Sequence, residues 1–337
     1  MTAITPALWV QEELLAGRSL QPTQEQATAY APANIALSKY WGKRESQFNL
    51  PLTGSLSVSL ANHGTHTQLS LIDAADHQVY LNGVEQAGES AFVVQLKAWL
   101  SLFLPTGISL RIETRNTIPT AAGLASSASG YGALALACNE LCGWQLDYTS
   151  LSALARLGSG SASRSLWHGF VKWQAGEAAN GHDSVAYVLP ERWPQLRVGI
   201  LTVSDAKKAV SSREGMGRTV QTSALFKQWP AQAASDMQHI EQAIMENDFV
   251  ALGQRAEHNA MSMHATMQAA WPPLVYWQPE SLAAMQQVWE LRQQGLEVYF
   301  TMDAGPNLKL LFEAANTATI LQHFPTLEVI QPFADPS

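Results

Sequence analysis

The chain contains 337 residues with a mass of 36.7 kDa, which is the size of about two ordinary domains. Hydrophobic residues make up 47% of it and charged residues only 14%, so there is enough apolar material for a sizeable core and a disordered chain is excluded. Its net charge of −8 disfavours nonspecific binding to nucleic acids and anionic membranes, although it permits local basic pockets.

The N-terminal residues 1–26 are predicted to form an extension, in which Pro6–Leu20 could make one amphipathic helix. No basic segment precedes the acidic stretch Gln11–Leu15, so we predict no signal peptide. The longest stretch without charge, Asn116–Asn139, contains Pro119 and several glycines and serines, which makes it too polar for a membrane span. These features predict a cytoplasmic protein without nucleic-acid or membrane partners.

The two cysteines, Cys138 and Cys142, are four residues apart in a predicted helix. Two cysteines cannot build a disulfide framework. We expect both to be small buried hydrophobic side chains in a reducing compartment.

Strands and helices alternate from residue 27 to the C-terminal region, each identified by its hydrophobic period. The predicted strands are Thr65–Leu71, Gly107–Thr114, Arg197–Ser204, Val298–Met302 and Leu308–Phe312. The predicted helices are Ala91–Phe103, Ser126–Leu141, Ser150–Leu157, Phe226–Met245, Phe249–Met267 and Ser281–Gln294. The polar residues 205–222 have no predicted element. This mixture predicts an α+β fold of two domains, 27–200 and 201–337.

Glycines and small residues fill the segment Pro119–Gly130, which follows a strand and opens a helix. Gly123 allows the backbone to bend tightly and approach a ligand. Ser126 or Ser127 would lie at the helix N-terminus, where free N–H groups and the helix dipole favour an anion. A capped, tightly packed helix explains one serine but not the cluster. The sequence contains no Walker loop and no G-x-G-x-x-G motif, so the usual phosphate cradles are absent.

Three further segments combine cations with hydroxyl or aromatic side chains: Ala33–Arg44, Gly158–Ser165 and Ser211–Met216. Lysine and arginine bind phosphate or carboxylate oxygens, and Ser/Gly loops add donors around them. Each pattern is also typical of ordinary structure, namely a strand with a solvated basic turn or a flexible polar loop.

The segment Met302–Asn307 places Asp303 at the end of a strand, before a Gly-Pro turn. Aspartate at this point is either a turn former or a base presented at a strand end. We predict no protein metal site, because the nine histidines show no ligand spacing. His63 and His66 lie on opposite faces of a strand, and we assign no carboxylate partner to the histidines of the helix Phe249–Met267.

Taken together and in this order, the segments resemble one family. Pro119–Gly130 resembles the phosphate-binding motif of the GHMP small-molecule kinases. The other four are similar to the diphosphomevalonate decarboxylase branch of that superfamily, and the resemblance covers roughly residues 28–312. It implies a two-domain GHMP fold, in which a ribosomal-S5 domain-2-like N-terminal domain packs against a ferredoxin-like C-terminal domain. The active site is then expected in the cleft between them, and family members are often homodimers.

The resemblance also implies a reaction and roles for residues. The reaction converts (R)-5-diphosphomevalonate and ATP to isopentenyl diphosphate, CO2, ADP and phosphate, with Mg²⁺, in isoprenoid biosynthesis. Asp303 is expected to act as base or orienting group for the 3-hydroxyl, Arg164 to hold the substrate carboxylate, and Lys43 to lie near the phosphates. The expected substrate-binding residues are Tyr40, Lys43, Ser159, Ser161, Arg164, Ser212 and Arg213. The expected ATP-phosphate residues are Gly123, Ala125, Ser126, Ser127 and Ser129.

One segment departs from the family pattern. Where the family commonly has an amide and a hydroxyl residue, Thr53 and Gly54 stand in the run Pro51–Ser57. The alternatives to the main reading are the same chemistry on 5-phosphomevalonate or mevalonate, and a kinase that stops at the 3-phosphate. A ligand-binding protein without catalysis on the same scaffold is a further alternative, since a fold does not fix a function.

Overall fold

The structure is a computed structural model that describes residues 4–117, 126–206 and 208–334. It confirms the predicted α+β class, with separate sheets in the two halves of the chain. Its strands are β1 Gln26–Ser38, β2 Lys43–Glu45, β3 Leu50–Pro51, β4 Ser55–Ile72, β5 Gln78–Leu81, β6 Val84–Glu85, β7 Ser109–Asn116, β8 Phe170–Trp173, β9 Ala186–Val188, β10 Leu196–Leu201, β11 Val298–Met302, β12 Leu308–Glu313 and β13 Glu328–Ile330. Its helices are α1 Pro6–Trp9, α2 Ala91–Leu100, α3 Ser126–Cys142, α4 Tyr148–Gly158, α5 Ser212–Thr222, α6 Trp229–Glu246, α7 Phe249–Gln268, α8 Pro279–Gln293 and α9 Thr317–His323.

The first sheet has seven strands in the order β6-β5-β7-β4-β8-β9, with β1 also paired to β4. The long pair β1–β4 is antiparallel from Gln26 opposite Ser70 to Ser38 opposite Leu56. Helix α3 packs on these two strands. A β carbon at Gly132 would lie 3.1 Å from Cβ of Ala31, so this glycine allows the helix to approach the strand closely.

The two faces of β4 have different partners because its sequence alternates between serines and aliphatic residues. Leu56, Val58 and Leu60 share one hydrophobic core with Ile240 and Ile244 of α6. One face of the first sheet therefore packs against helices of the second half of the chain.

The second sheet has four strands in the order β11-β12-β10-β13, all paired antiparallel. Strand β10 belongs to this sheet, so the domain boundary that we predict near residue 200 falls inside a strand. We propose the connection at residues 189–195, between β9 and β10, as the boundary.

The N-terminal extension differs from the predicted single helix Pro6–Leu20. Helix α1 continues only through a π-helical turn, Val10–Leu14, and Gly17 then has φ +74°. A positive φ is incompatible with a continuing right-handed helix, so the helix ends early. Trp9, Val10 and Leu15 pack into the core of the first domain.

Helix α5 lies in the polar stretch 205–222, for which no element is predicted from the sequence. The Ser211 hydroxyl caps this helix by accepting from the Glu214 N–H at 3.2 Å. Serine followed three residues later by glutamate is typical of a helix N-terminus, so the signal was present in the sequence.

The cysteines behave as expected, since Cys138 and Cys142 are buried free thiols on α3. Burial raises the pKa of both thiols. Within the described ranges, no helix combines the length and apolar character needed to cross a membrane.

Candidate active site

A cleft of about 480 Å³ lies between the two domains and is lined by residues from both. It brings together most of the predicted site residues, although they are far apart in the chain. Those that line it are Tyr40, Lys43, Ser127, Ser159, Ser161, Arg164, Ser212, Arg213 and Asp303. Lys39 and Lys208, neither of which was predicted as a site residue, line it as well.

The predicted ATP-phosphate residues are only partly accounted for. Gly123 and Ala125 lie outside the described residues, as does the side chain of Ser126. Ser129 corrects our expectation, because its hydroxyl is fully buried and shares a 2.7 Å hydrogen bond with Thr65 of β4. It faces the sheet and not the cleft, so it is not placed to contact a nucleotide.

Asp303 directly follows β11, and its carboxylate is 30% exposed toward the cleft. The Lys39 ammonium lies 2.9 Å from Oδ1, and the Lys309 ammonium lies 3.4 Å from Oδ2. Burial alone would raise the pKa of Asp303, but Lys39 and Lys309 outweigh it and hold this pKa far below its ordinary value. Asp303 is therefore ionised at neutral pH.

Lys39 is the first residue after β1 and is only 2% exposed. Its backbone N–H donates to Oδ1 of Asn259 on α7 at 2.8 Å, which fixes the main chain behind the side chain. Burial lowers the pKa of Lys39 to about 8, against the opposing pull of Asp303. The ammonium thus loses its proton at a lower pH than an exposed lysine does.

Arg164 ends a 3-10 turn, Gly160–Arg164, and is buried in the wall of the cleft. Its guanidinium donates to the Ser55 hydroxyl and, at 3.4 Å, to Oδ1 of Asn34. Burial lowers its pKa to about 10, so it stays charged. Its Nε–H has no partner in the described structure, which leaves a cationic donor unused.

Lys43 extends from β2, and its ammonium donates to Oδ1 of Asn49 at 2.5 Å. The Asn49 amide nitrogen in turn donates to the carbonyls of Arg156 and Leu157, at 2.9 and 2.8 Å, in the last turn of α4. Asn49 is thereby oriented with its oxygen toward Lys43. Burial, followed by the nearby charge of Arg213, lowers the pKa of Lys43 to about 8.

The Ser/Gly segment is a packed turn and not a flexible loop. A β carbon at Gly158 would lie 2.1 Å from the ring of Tyr131, and one at Gly160 would lie 2.8 Å from the ring of Tyr40. Both aromatic rings line the cleft. The two glycines are therefore required for the rings to pack this close to the backbone.

Thr53 and Gly54, which depart from the family pattern, are not among the described residues that line the cleft. A β carbon at Gly54 would lie 2.9 Å from the Trp173 carbonyl oxygen and 3.0 Å from Cε of Met237. Glycine at this position is explained by close packing against β8 and α6.

Two histidines of α7 have contacts that were not predicted from the sequence. His258 lies 3.3 Å from the buried Asp236 carboxylate of α6, so it does have a carboxylate partner. His264 is buried and lies 3.0 Å from the backbone carbonyl of Asp303. Neither contact could be predicted from the spacing of residues along the chain, because each histidine and its partner lie on different elements.

A second cavity of about 530 Å³ lies beside the N-terminal extension, between Trp9, α4 and His182. Among the described residues that line it there is no lysine or arginine. It is therefore poorly suited to a polyanionic ligand, in contrast to the cleft between the domains.

The two halves of the chain match two family models. Residues 31–186 match the diphosphomevalonate decarboxylase-like N-terminal domain, and residues 198–332 match the mevalonate 5-diphosphate decarboxylase C-terminal domain. A diphosphomevalonate decarboxylase of Aspergillus fumigatus is 40% identical over 312 residues, which cover 86% of this chain and 77% of that relative.

Solved structures agree with these matches. A mevalonate diphosphate decarboxylase from Staphylococcus aureus superposes with a TM-score of 0.85 at 36% identity, over 91% of this chain and 95% of that one. A complex of the relative called MDDEF with MVAPP, AMPPCP and magnesium gives 0.83 at 39% identity, over 90% and 95% of the two chains. The fold and the cleft are those of a two-domain GHMP-type protein. Within that class, the chain belongs to the diphosphomevalonate decarboxylase family.

Proposed function

We propose that this protein catalyses the ATP-dependent decarboxylation of (R)-5-diphosphomevalonate to isopentenyl diphosphate, CO2, ADP and phosphate. The observation that carries the proposal is the Asp303 carboxylate, which contacts lysines and faces the cleft. The other charged side chains among the described residues of the cleft are cations. Family membership and the likeness to the MDDEF complex support the same reaction.

The charge of the cleft suits two polyanions. The described residues that line it include five cations, namely Lys39, Lys43, Arg164, Lys208 and Arg213, and a single carboxylate, Asp303. A cluster of cations in a protein with a net charge of −8 attracts phosphates locally and not over the whole surface. Diphosphomevalonate and ATP are both polyanions, so the site is matched to their charge.

Asp303 orients the 3-hydroxyl of the substrate by accepting its hydrogen bond. Because its pKa is held so low, Asp303 is a weak base, and it takes the proton only as the oxygen–phosphorus bond forms. Phosphoryl transfer depends mostly on positioning and charge neutralisation, so a weak base in a fixed place is sufficient.

Arg164 holds the substrate carboxylate during the second half of the reaction. The new phosphate leaves C3 with the C–O electron pair. The bond to the carboxylate then breaks, its electrons form the alkene, and CO2 departs. The Arg164 guanidinium lines the cleft, so it can bind the carboxylate oxygens and remain charged throughout.

We propose that six residues hold the diphosphate: Lys43, Tyr40, Ser159, Ser161, Ser212 and Arg213. Ser127 is proposed to contact the ATP phosphates, because it lies in the first turn of α3 and also lines the cleft. Its hydroxyl lies 3.4 Å from that of Ser159, which joins the proposed nucleotide and substrate sides of the site.

We propose that Mg²⁺ binds at this site together with ATP. In the described ranges, no group of three or more His, Cys, Asp or Glu side chains is placed to hold a metal ion. Mg²⁺ typically binds one or two protein oxygens together with substrate phosphates and water. The hydroxyl of Ser127, which lines the cleft, is such an oxygen. When bound, the ion neutralises charge on the phosphates.

The experiment that tests the proposal is a substrate panel in which ADP and CO2 are measured together. The purified protein is given ATP, Mg²⁺ and one of diphosphomevalonate, 5-phosphomevalonate or mevalonate. We expect equal amounts of ADP and CO2 with diphosphomevalonate. ADP without CO2 would identify a 3-kinase, and a preference for the monophosphate or mevalonate would change the substrate. Absence of turnover on all three would favour the non-catalytic alternative.

The cytoplasmic location and the homodimer stay predictions from the sequence and the family resemblance. Sedimentation of the purified protein tests the second, with a mass of twice 36.7 kDa expected.

A further inference from the structure

Two buried side chains contact Asp303 from the side away from the cleft. His264 on α7 is 1% exposed, and Lys309 on β12 is 2% exposed. Neither is among the residues that line the cleft, so neither is placed to touch a substrate there. Both nevertheless reach Asp303, one at its main chain and the other at its side chain.

The contact from His264 is made to the backbone carbonyl oxygen of Asp303, at 3.0 Å. A carbonyl oxygen only accepts hydrogen bonds, so Nε2 of His264 carries the proton and donates. The same oxygen accepts from the Gly305 N–H at 2.7 Å, which closes the tight turn after β11. Trp277 packs on the imidazole with ring centroids 5.2 Å apart and fixes its plane. His264 therefore secures the turn that carries Asp303.

The contact from Lys309 is made to the carboxylate itself. Its ammonium lies 3.4 Å from Oδ2, while Lys39 lies 2.9 Å from Oδ1. The second torsion of an aspartate side chain is intrinsically broad, so one contact alone would leave the plane of the carboxylate free to rotate. Two cations on the two oxygens restrict that rotation.

We propose that His264 and Lys309 form a rear clamp on Asp303, in which two positioning residues hold its main-chain carbonyl and its Oδ2 so that the carboxylate faces the cleft in one orientation. The inference rests on the proposed role of Asp303 in phosphoryl transfer. A displacement of about 1 Å at such a group can reduce a rate by about 10²-fold, so residues that never touch the substrate can limit the reaction.

The test compares variants that remove each contact at nearly constant volume. Lys309→Met keeps the length of the side chain but removes the ammonium. His264→Phe keeps a ring against Trp277 but removes the donor, and His264→Gln restores a donor at about the position of Nε2. We expect Lys309→Met and His264→Phe each to lower kcat by about 10- to 100-fold while the KM for ATP stays within about threefold. His264→Gln should recover most of the lost kcat.

Matched controls come from similar pairs outside the cleft. Lys172→Met removes a lysine from its 2.7 Å pair with Glu241, and His258→Gln changes the other α7 histidine described above. Both are expected to leave kcat within twofold of the wild type. Thermal melting of all variants separates loss of structure from loss of positioning.

The outcomes distinguish the clamp from a general effect on folding. The clamp is overturned if Lys309→Met and His264→Phe keep kcat within twofold, if His264→Gln is as impaired as His264→Phe, or if the controls lose as much kcat. All variants are assayed with the substrate that the wild type turns over fastest. Failure of the wild type to release CO2 would instead overturn the proposed function, so the two failures remain separate.

Discussion

Lys39 and Asp303 are separated by 264 positions in the chain, yet their side chains form an ion pair of 2.9 Å. Lys39 directly follows β1 of the first sheet, and Asp303 directly follows β11 of the second. The pair therefore joins the two domains at the cleft. Because Asp303 is the single carboxylate beside five cations among the described lining residues, the cleft carries more positive than negative charge before any ligand binds.

The first prediction concerns this carboxylate. Asp303→Asn should lower kcat by at least about 10³-fold, because an amide cannot take the hydroxyl proton and its NH₂ group would point at a lysine. Affinity for ATP should remain nearly unchanged, since the charge of the phosphate side is retained. Calorimetric titration with nucleotide and the ADP and CO2 assay measure the two effects. Turnover near the wild-type rate would remove Asp303 from the mechanism.

The second prediction concerns the carboxylate-binding arginine. Arg164→Gln should reduce kcat/KM for the substrate by roughly 10- to 100-fold, which corresponds to the loss of one charge-assisted hydrogen bond in a buried place. The KM for ATP should change much less.

Arg164 also donates to Ser55 and Asn34, so part of the decrease in kcat/KM could come from the loss of these two hydrogen bonds in the wall of the cleft. Asn34→Ala, which removes the 3.4 Å partner and keeps the guanidinium, serves as the comparison. Near-normal kinetics of Arg164→Gln would contradict its assignment to the substrate carboxylate.

The third prediction concerns pH. Burial lowers the pKa of both Lys39 and Lys43 to about 8, so the two ammonium groups lose their protons as the pH rises through that value. Anionic substrates then meet a less positive cleft, and kcat/KM should fall above pH 8. With two groups titrating in the free enzyme, the slope of log(kcat/KM) should approach −2.

Lys43→Arg provides the check on this assignment, because a guanidinium remains charged through the same range. The variant should leave one titrating lysine, so the slope above pH 8 should approach −1. A wild-type profile of kcat/KM that stays flat to pH 10 would contradict the titration of both lysines. An unchanged slope in Lys43→Arg would show that Lys43 is not one of the titrating groups, and it would leave the assignment of Lys39 intact.

The order of motifs along the chain predicted the fold and most of the cleft residues, because each motif carries its own local chemistry. The contacts of Lys39 with Asp303 and of His264 with the Asp303 carbonyl could not be predicted in this way. They depend on how two sheets and a helix pack, and no local spacing specifies that arrangement. Asn49 was missed for the same reason, since its three hydrogen bonds join β2 to the end of α4.

Two errors, in contrast, were avoidable from the sequence. Ser127 and Ser129 are two positions apart on α3, and successive helical residues turn by about 100°, so the two hydroxyls point to nearly opposite sides. If Ser127 faces the cleft, Ser129 has to face the sheet, as the structure shows. The capping serine and glutamate at Ser211 and Glu214 likewise indicated helix α5 within a polar stretch.

The last prediction concerns the glycines of the Ser/Gly turn. Gly160→Ala places a methyl group 2.8 Å from the ring of Tyr40, so either the ring or the turn has to move. Overpacking of this kind typically costs about 1–3 kcal/mol of stability, and here it also displaces a side chain that lines the cleft. We expect a higher KM for the substrate together with an earlier denaturation midpoint.

Gly217→Ala on α5 is the matched control, because a β carbon there meets no atom within 4 Å. Alanine is favoured over glycine in a helix by about 1 kcal/mol, so this variant should be as stable as the wild type or more so, with unchanged kinetics. Urea unfolding and steady-state kinetics of the two variants give the comparison. Equal stability and activity of Gly160→Ala and Gly217→Ala would contradict the prediction. It would show that the contact between Tyr40 and the turn does not require glycine at position 160.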